Sequence, residues 1–216
     1  MLKKYASEGE ISLKIVGGGA SVGLSVCGFL GVFGNFLSFN LFGAVFDALL
    51  LAIGMLCVSY EFAKSGDDKT FIHRFNSDVG DFVKTELHIL STPYGRSMIY
   101  IVMGIILTTQ SSITNLVVGL AVSGCGGYIC YNMHKAESIL NSMKTHMREE
   151  DLKPYFDKYD KDRSGTLDPS EVAEMCKELG IELNRAELEA TVNLLKDSKT
   201  NTISLENFKS WYLRKM

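Results

Sequence analysis

One short acidic segment, residues 160–171, carries residue types and spacings that could hold a metal ion. Counted from Asp160 as position 1, oxygen donors recur at positions 1, 3, 5, 7, 9 and 12, which are Asp160, Asp162, Ser164, Thr166, Asp168 and Glu171. These are hard oxygen ligands, and Ca²⁺ takes about six to eight such oxygens at about 2.3–2.6 Å. The segment therefore predicts one Ca²⁺ site.

The other residues of this segment fit a loop that closes around one ion. Gly165 occupies position 6, where the chain must turn sharply and a Cβ is costly. Thr166 would contribute its backbone carbonyl, Asp168 a direct or water-bridged ligand, and Glu171 two carboxylate oxygens. Leu167 is the apolar position that would pair with a neighbouring loop. A solvated acidic turn is the alternative, and the number of matching positions disfavours it.

Amphipathic helices are predicted on both sides of the loop. Apolar residues recur at helical spacing before and after it, at Leu152, Tyr155, Phe156, Tyr159, Val172, Met175, Cys176 and Leu179. This helix–loop–helix resembles the calmodulin-type EF-hand. A second helix–loop–helix follows, so residues 151–216 are predicted to form an EF-hand pair.

The second loop, residues 196–207, lacks the acidic ligands of the first. With Ile203 aligned to Leu167, the ligand positions and position 6 hold neutral side chains and one lysine: Lys196, Ser198, Thr200, Asn201, Thr202, Ser204 and Asn207. The closing glutamate is missing, so we predict that this loop binds no Ca²⁺. It should still pair with the first loop, because a lone EF-hand leaves an apolar face exposed.

The residues before this tail form apolar runs that predict membrane spans. The runs cover about 15–39, 41–60, 96–112 and 113–133, the third being short. The predicted fold is all-α, a four-helix transmembrane bundle followed by a cytosolic EF-hand pair. Its parts are a membrane domain over 1–133, a helical linker over 134–150 and the pair over 151–216.

The distribution of Lys and Arg predicts the orientation. Of the 22 basic residues, eight lie in the N-terminus or the 61–96 connection and fourteen lie after residue 134. The turns between the first two and the last two spans carry no charge. The N-terminus, the middle loop and the tail should therefore be cytosolic. An amphipathic helix over about 75–90 could lie on the membrane or against the tail, and a plain connector helix is the alternative.

Two features of the spans leave alternatives open. Glycines at 17, 18, 19, 23, 28, 31 and 34 suggest small faces that let helices approach closely, whereas a flexible, weakly helical span is the alternative. Asp47 lies in the second span near its non-cytosolic end, with Asn35 and Asn40 as nearby partners. An acid within a span is a functional candidate, but one so close to the interface could simply reach water.

Other chemistry is not indicated. The net charge is −3 without a basic cluster, so no nucleic-acid partner is expected. The five cysteines show neither metal-ligand spacing nor a disulfide framework, and the four histidines share no spacing. No nucleophile elbow, phosphate loop, dinucleotide fingerprint or HExxH motif is present. We therefore expect no enzymatic activity.

Residues 12–133 also resemble a known family. Glu61 and Phe62 end the second span, and Gly95, Arg96, Tyr100 and Gly104 match a GR-x-x-x-Y-x-x-x-G pattern that opens the third. This combination resembles the COPI-associated (Tvp-type) Golgi membrane proteins, which have four spans. The resemblance implies residence in Golgi or related vesicle membranes and a non-enzymatic role in trafficking. The EF-hand tail is an addition to that family pattern.

Three functions follow from these observations. The first is a Ca²⁺-sensing, non-enzymatic adaptor in Golgi or vesicle membranes, in contact with lipid and with protein partners through its tail and its glycine-rich span faces. The second is a structural or auxiliary subunit of a larger membrane complex, such as a channel or an energy-converting assembly. The third, a transporter or channel in its own right, is disfavoured because four spans with one acid offer little polar pathway.

Overall fold

The computed structural model describes residues 12–62, 92–110, 112–146, 152–196 and 203–213. Within these ranges the chain is mostly helical: α1 (Leu13–Leu37), α2 (Leu41–Phe62), α3 (Pro93–Thr108), α4 (Ile113–His146), α5 (Leu152–Tyr159), β1 (Thr166–Leu167), α6 (Pro169–Glu178), α7 (Arg185–Leu195), β2 (Ile203–Ser204) and α8 (Leu205–Leu213). The helix predicted over 75–90 lies outside these ranges. All five cysteines are free thiols.

The chain divides into two compact units. The hairpin unit comprises Lys14–Cys130, and the tail unit comprises Met1–Leu13 together with Tyr131–Met216. Helix α4 is continuous across the boundary, because no proline or other break interrupts the helix between Ile113 and His146. The sequence had placed the corresponding boundary at residue 133.

Within the described residues, three helices are long and apolar enough to cross a membrane, whereas the sequence predicts four spans. They are the segments Leu13–Leu37, Leu41–Ser59 and Ile113–Thr145. Helix α3, which covers most of the predicted third span, has 16 residues. At about 1.5 Å per residue it is about 24 Å long, less than the ~30 Å of a bilayer core.

The start of α3 is fixed by local capping. Thr92 is the N-cap, and its side-chain oxygen accepts a hydrogen bond of 3.1 Å from the N–H of Gly95. Pro93 follows in the first turn, where its missing N–H costs nothing. The helix therefore begins at Pro93, before the residue 96 that hydropathy indicated.

Helices α1 and α2 approach each other closely enough that only glycine fits at certain positions. A Cβ placed on Gly28 would lie 2.5 Å from the backbone nitrogen of Leu51 and 2.9 Å from the carbonyl oxygen of Asp47. On α2, a Cβ on Gly54 would lie 2.7 Å from the backbone nitrogen of Ser25. This is the close backbone approach that small residues permit between apolar helices.

Helices α3 and α4 make a second hairpin of the same kind. A Cβ on Gly104 would lie 2.7 Å from the carbonyl oxygen of Gly119 and 2.7 Å from the backbone nitrogen of Ser123. Tyr100 precedes Gly104 by one turn and is fully buried. The second glycine of the GR-x-x-x-Y-x-x-x-G pattern thus lies where the two helices approach closely, and the tyrosine lies on the buried face of α3.

The outer surface of the hairpin unit is strongly apolar. Large hydrophobic side chains project outward from α1, α2, α3 and α4, among them Phe36 at 70% exposure, Phe42 at 81% and Ile113 at 82%. Monomeric soluble proteins rarely expose contiguous apolar surface on this scale. The pattern is that of helices whose outer faces contact lipid.

The tail unit has a core of its own, built from α5 to α8 and the last turns of α4. Its buried residues include Leu140, Met143, Leu152, Phe156, Tyr159, Leu167, Val172, Met175, Cys176, Leu195, Ile203 and Phe208. Strands β1 and β2 pair antiparallel, with Leu167 opposite Ile203 and Thr166 opposite Ser204. The predicted pairing of the two loops is therefore confirmed.

Replacement of Gly28 by alanine should destabilise the hairpin unit, whereas the same change at Gly34 should not. The new methyl group at 28 meets the α2 backbone, which cannot move away cheaply, and we expect a loss of about 1–3 kcal/mol. A Cβ at 34 meets nothing within 4 Å, so this variant gains only the better helix propensity of alanine. Thermal unfolding in detergent gives the midpoint of each purified variant. Equal midpoints for the two variants would contradict the close packing of α1 against α2 at Gly28.

Candidate calcium-binding site

The loop between α5 and α6 is shaped by two residues in the left-handed region. Arg163 has φ 56° and Gly165 has φ 77°. Glycine occupies this region without a steric cost, which explains the turn at position 6. The chain then extends into β1, and α6 begins at Pro169. The loop thus folds back so that its first and last acidic residues meet.

Asp160 and Glu171, the first and last positions, are held by backbone N–H groups of the loop itself. The two carboxylate oxygens of Asp160 accept hydrogen bonds from the N–H of Ser164 at 2.9 Å and of Gly165 at 2.8 Å. Those of Glu171 accept from Lys161 at 2.9 Å and Asp168 at 2.9 Å. Both side chains are largely buried. The loop is therefore organised around these two carboxylates.

Three carboxylates converge at the centre of the loop. One oxygen each from Asp160, Asp162 and Glu171 lies within 4.8 Å of the others. With Ca–O distances of about 2.3–2.6 Å, ligands on opposite sides of one ion lie about 4.6–5.2 Å apart. The separation therefore fits three ligands of a single Ca²⁺ ion, and these three are among the six that the sequence predicted.

Asp162 is the exposed member of this group, and Ser164 is its main local partner. The N–H of Ser164 donates to Asp162 at 3.0 Å. Hydrogen bonds from the side chain and the N–H of Ser164 hold the pKa of Asp162 below its usual value, because they favour the ionised form. Asp162 is thus negatively charged at neutral pH, as a cation ligand must be.

Ser164, Thr166 and Asp168, the other predicted ligands, have different local roles. The hydroxyl of Ser164 donates to the carbonyl oxygen of Thr166 at 2.9 Å. Asp168 is the N-cap of α6 and accepts a bond of 2.8 Å from the N–H of Glu171. Asp168 lies outside the three-carboxylate group. Its role as a direct or water-bridged ligand at position 9 stays a prediction.

The second loop is only partly within the described residues, which stop at 196 and resume at 203. Lys196 ends α7 as its C-cap, and Ser204 accepts a hydrogen bond of 3.2 Å from the N–H of Asn207. Ser198, Thr200, Asn201 and Thr202 lie outside the described residues. That this loop binds no Ca²⁺ stays a prediction.

Asp47 lies in a hydrogen-bonded network within the hairpin unit. It is 2% exposed, and its two oxygens accept from the side-chain amides of Asn35 at 2.6 Å and Gln110 at 3.0 Å. Asn40 bonds to Asn35 at 2.9 Å rather than to Asp47, and Asn115 bonds to Gln110. The acid therefore does not reach water, contrary to one of the two alternatives above.

Sequence reasoning predicted Asn35 as a partner of Asp47 but missed Gln110. Asn35 is near in sequence, whereas Gln110 is 63 residues away, and its only signal is a polar side chain in an uncharged turn. The network joins Asn35 of α1, Asp47 of α2 and Asn115 of α4 through Gln110, which lies in the turn between α3 and α4. A satisfied buried carboxylate of this kind holds helices together, and we therefore favour a structural role for Asp47.

Comparison with known families identifies the tail. Residues 149–213 match the family model of the EF-hand domain pair. These residues form an EF-hand pair. No match to a curated protein or to a solved structure is found for the chain. The pair supports Ca²⁺ binding, while the resemblance of residues 12–133 to the COPI-associated Golgi proteins gains no support from these comparisons.

Replacement of Glu171 by glutamine should abolish Ca²⁺ binding. The change removes one charge and the bidentate oxygen pair at position 12, so the affinity should fall by at least about 100-fold, since one ligand charge supplies several kcal/mol. Glu182→Gln is the matched control, because this exposed carboxylate lies outside the loop. Calorimetric titration of the full-length protein in detergent measures both. Ca²⁺ binding of unchanged affinity in Glu171→Gln would exclude this loop as the site.

Proposed function

We propose that this chain is a multi-pass membrane protein whose cytosolic EF-hand pair senses Ca²⁺ through one working site, Asp160–Glu171. The observation that carries the proposal is the convergence of the Asp160, Asp162 and Glu171 oxygens within 4.8 Å. Ser164, the Thr166 carbonyl and Asp168 complete the ligand set. Four acidic ligands and a cytosolic location suit the sensor range of about 10⁻⁷–10⁻⁵ M.

The number of spans is proposed to be four, although α3 is short. Ser12 and Leu13, where α1 begins, belong to the tail unit: the hydroxyl of Ser12 and the N–H of Leu13 donate to Glu189 of α7 at 2.7 and 2.9 Å. This contact supports a common side of the membrane for the start of α1 and the EF-hand pair. A chain that starts and ends on one side crosses an even number of times, and α3 supplies the fourth crossing.

A helix of the length of α3 can cross a membrane at a modest cost. A short span is accommodated by local thinning of the bilayer, which costs fractions of a kcal/mol per Å of mismatch. Close packing of Gly104 against Gly119 also surrounds part of α3 with protein rather than lipid. The buried face of α3 repeats at helical spacing, at Ser97, Tyr100, Gly104 and Leu107.

Tags on the two ends of the chain test the span number. Four spans place both tags on the cytosolic side of intact microsomes, so protease should remove both without detergent. Three spans would place them on opposite sides, and one tag would then be protected until detergent is added. Protection of one tag only would therefore refute the fourth span while leaving the Ca²⁺ site untouched.

The biological role we propose is that of a non-enzymatic adaptor in Golgi or related vesicle membranes. Ca²⁺ binding changes the angle between the helices that flank a sensor loop, here α5 and α6, and a partner would recognise that change. The Golgi assignment rests on the resemblance of residues 12–133 described above.

Affinity capture of the tagged full-length protein tests the adaptor role. A partner should be retained with Ca²⁺ and lost with a chelator, and the dependence should disappear in Glu171→Gln but persist in Glu182→Gln. Imaging of the tagged chain should place it in the Golgi. If the same partners are retained with Ca²⁺, with the chelator and in both variants, a sensing role is contradicted. That result would favour a permanent subunit of a larger complex.

A further inference from the structure

The last turns of α4 form part of the EF-hand core rather than a free linker. Ala136, Leu140 and Met143 lie on one helical face and are 0–2% exposed. Residues between them, such as Ser138 and Ser142, are exposed. The face therefore has buried residues at i, i+4 and i+7, and two of them, Leu140 and Met143, belong to the core of the EF-hand pair.

This segment of α4 contacts three of the four EF-hand helices. The sulfur of Met143 lies 3.7 Å from the thiol sulfur of Cys176 on α6. The Lys144 ammonium lies 5.2 Å from the centre of the Trp211 ring on α8. Lys135 forms an ion pair with the buried carboxylate of Glu187 on α7. Apolar, cation–π and ionic contacts thus hold one helix against both hands of the pair.

A helix held in this way has the pattern of an EF-hand target. Sensor EF-hand pairs expose an apolar groove when Ca²⁺ opens them, and amphipathic helices with anchors at i, i+3 or i+4, and i+7 occupy that groove. Here the occupant belongs to the same chain. Its effective concentration is high, so a soluble helical target would have to displace it.

We propose that residues 136–144 of α4 are the built-in target helix of the EF-hand pair, and that their packing strengthens Ca²⁺ binding at Asp160–Glu171. The inference rests on the proposed Ca²⁺ site. An occupant that favours the open pair raises the affinity of the loop, and by linkage Ca²⁺ tightens the hold on α4 by the same factor. Because α4 is one helix from Ile113 to His146, the Ca²⁺ signal acts on a membrane-spanning helix.

Ca²⁺ titration of full-length variants tests the coupling. Leu140→Ala and Met143→Ala should each bind Ca²⁺ about fivefold or more weakly than the unaltered protein. Ser138→Ala, on the exposed side of the same helix, should bind as the unaltered protein does. If the unaltered protein binds no Ca²⁺, the proposed site fails. If the unaltered protein binds Ca²⁺ and the Leu140→Ala and Met143→Ala variants bind it equally or more tightly, only the built-in target is refuted.

A second measurement needs no change to α4. Cys176 is fully buried with its sulfur 3.7 Å from that of Met143, and burial raises the pKa of its thiol to about 12, so the thiol reacts only when this part of the core opens. Mass spectrometry can follow the reaction of Cys176 with a thiol reagent in the full-length protein, without mutation of the other cysteines. Ca²⁺ should slow this modification about fivefold or more, and Glu171→Gln should abolish the effect. An unchanged or faster rate with Ca²⁺ would overturn the proposal.

Discussion

The tail unit depends on how one loop holds three carboxylates in a small volume. Ionised groups within 4.8 Å repel each other by about 1 kcal/mol per pair even at the dielectric constant of water, and by more where they are buried. Backbone N–H groups of Ser164, Gly165, Lys161 and Asp168 offset part of this repulsion by pointing at Asp160 and Glu171. A divalent cation would offset the remainder, which is why the arrangement favours Ca²⁺ rather than an unoccupied acidic turn.

Local features of this site were predictable because they depend on residues close in sequence. The turn at Gly165 and the position of Glu171 at the start of α6 follow from short-range spacing. The pairing of Leu167 with Ile203 joins residues 36 apart, and it was predictable because the second helix–loop–helix repeats the first. The ion pair between Lys135 and Glu187 could not be found in this way. Its partners are 52 residues apart, and each has an ordinary sequence context.

The hairpin unit shows the same division between local and long-range information. Hydropathy indicates four apolar runs, but it does not give the bounds of α3, which begins after its cap at Thr92 and ends at Thr108. A glycine-rich run suggests close packing without showing which glycines take part. Gly28 and Gly104 do, whereas Gly34 has open space beside it. Only the positions of the neighbouring helices distinguish these cases.

Two kinds of contact hold the hairpin unit together, and they have different consequences. Close glycine contacts bring the helices of each hairpin together through van der Waals packing, which tolerates small shifts along the helix. The Asp47 network instead joins α1, α2 and the α3–α4 turn through side-chain hydrogen bonds. These bonds are directional, so the same side chains at other positions could not form them. The network therefore fixes Asn35, Asp47 and Gln110 relative to one another, whereas the glycine contacts fix only how closely the helices approach.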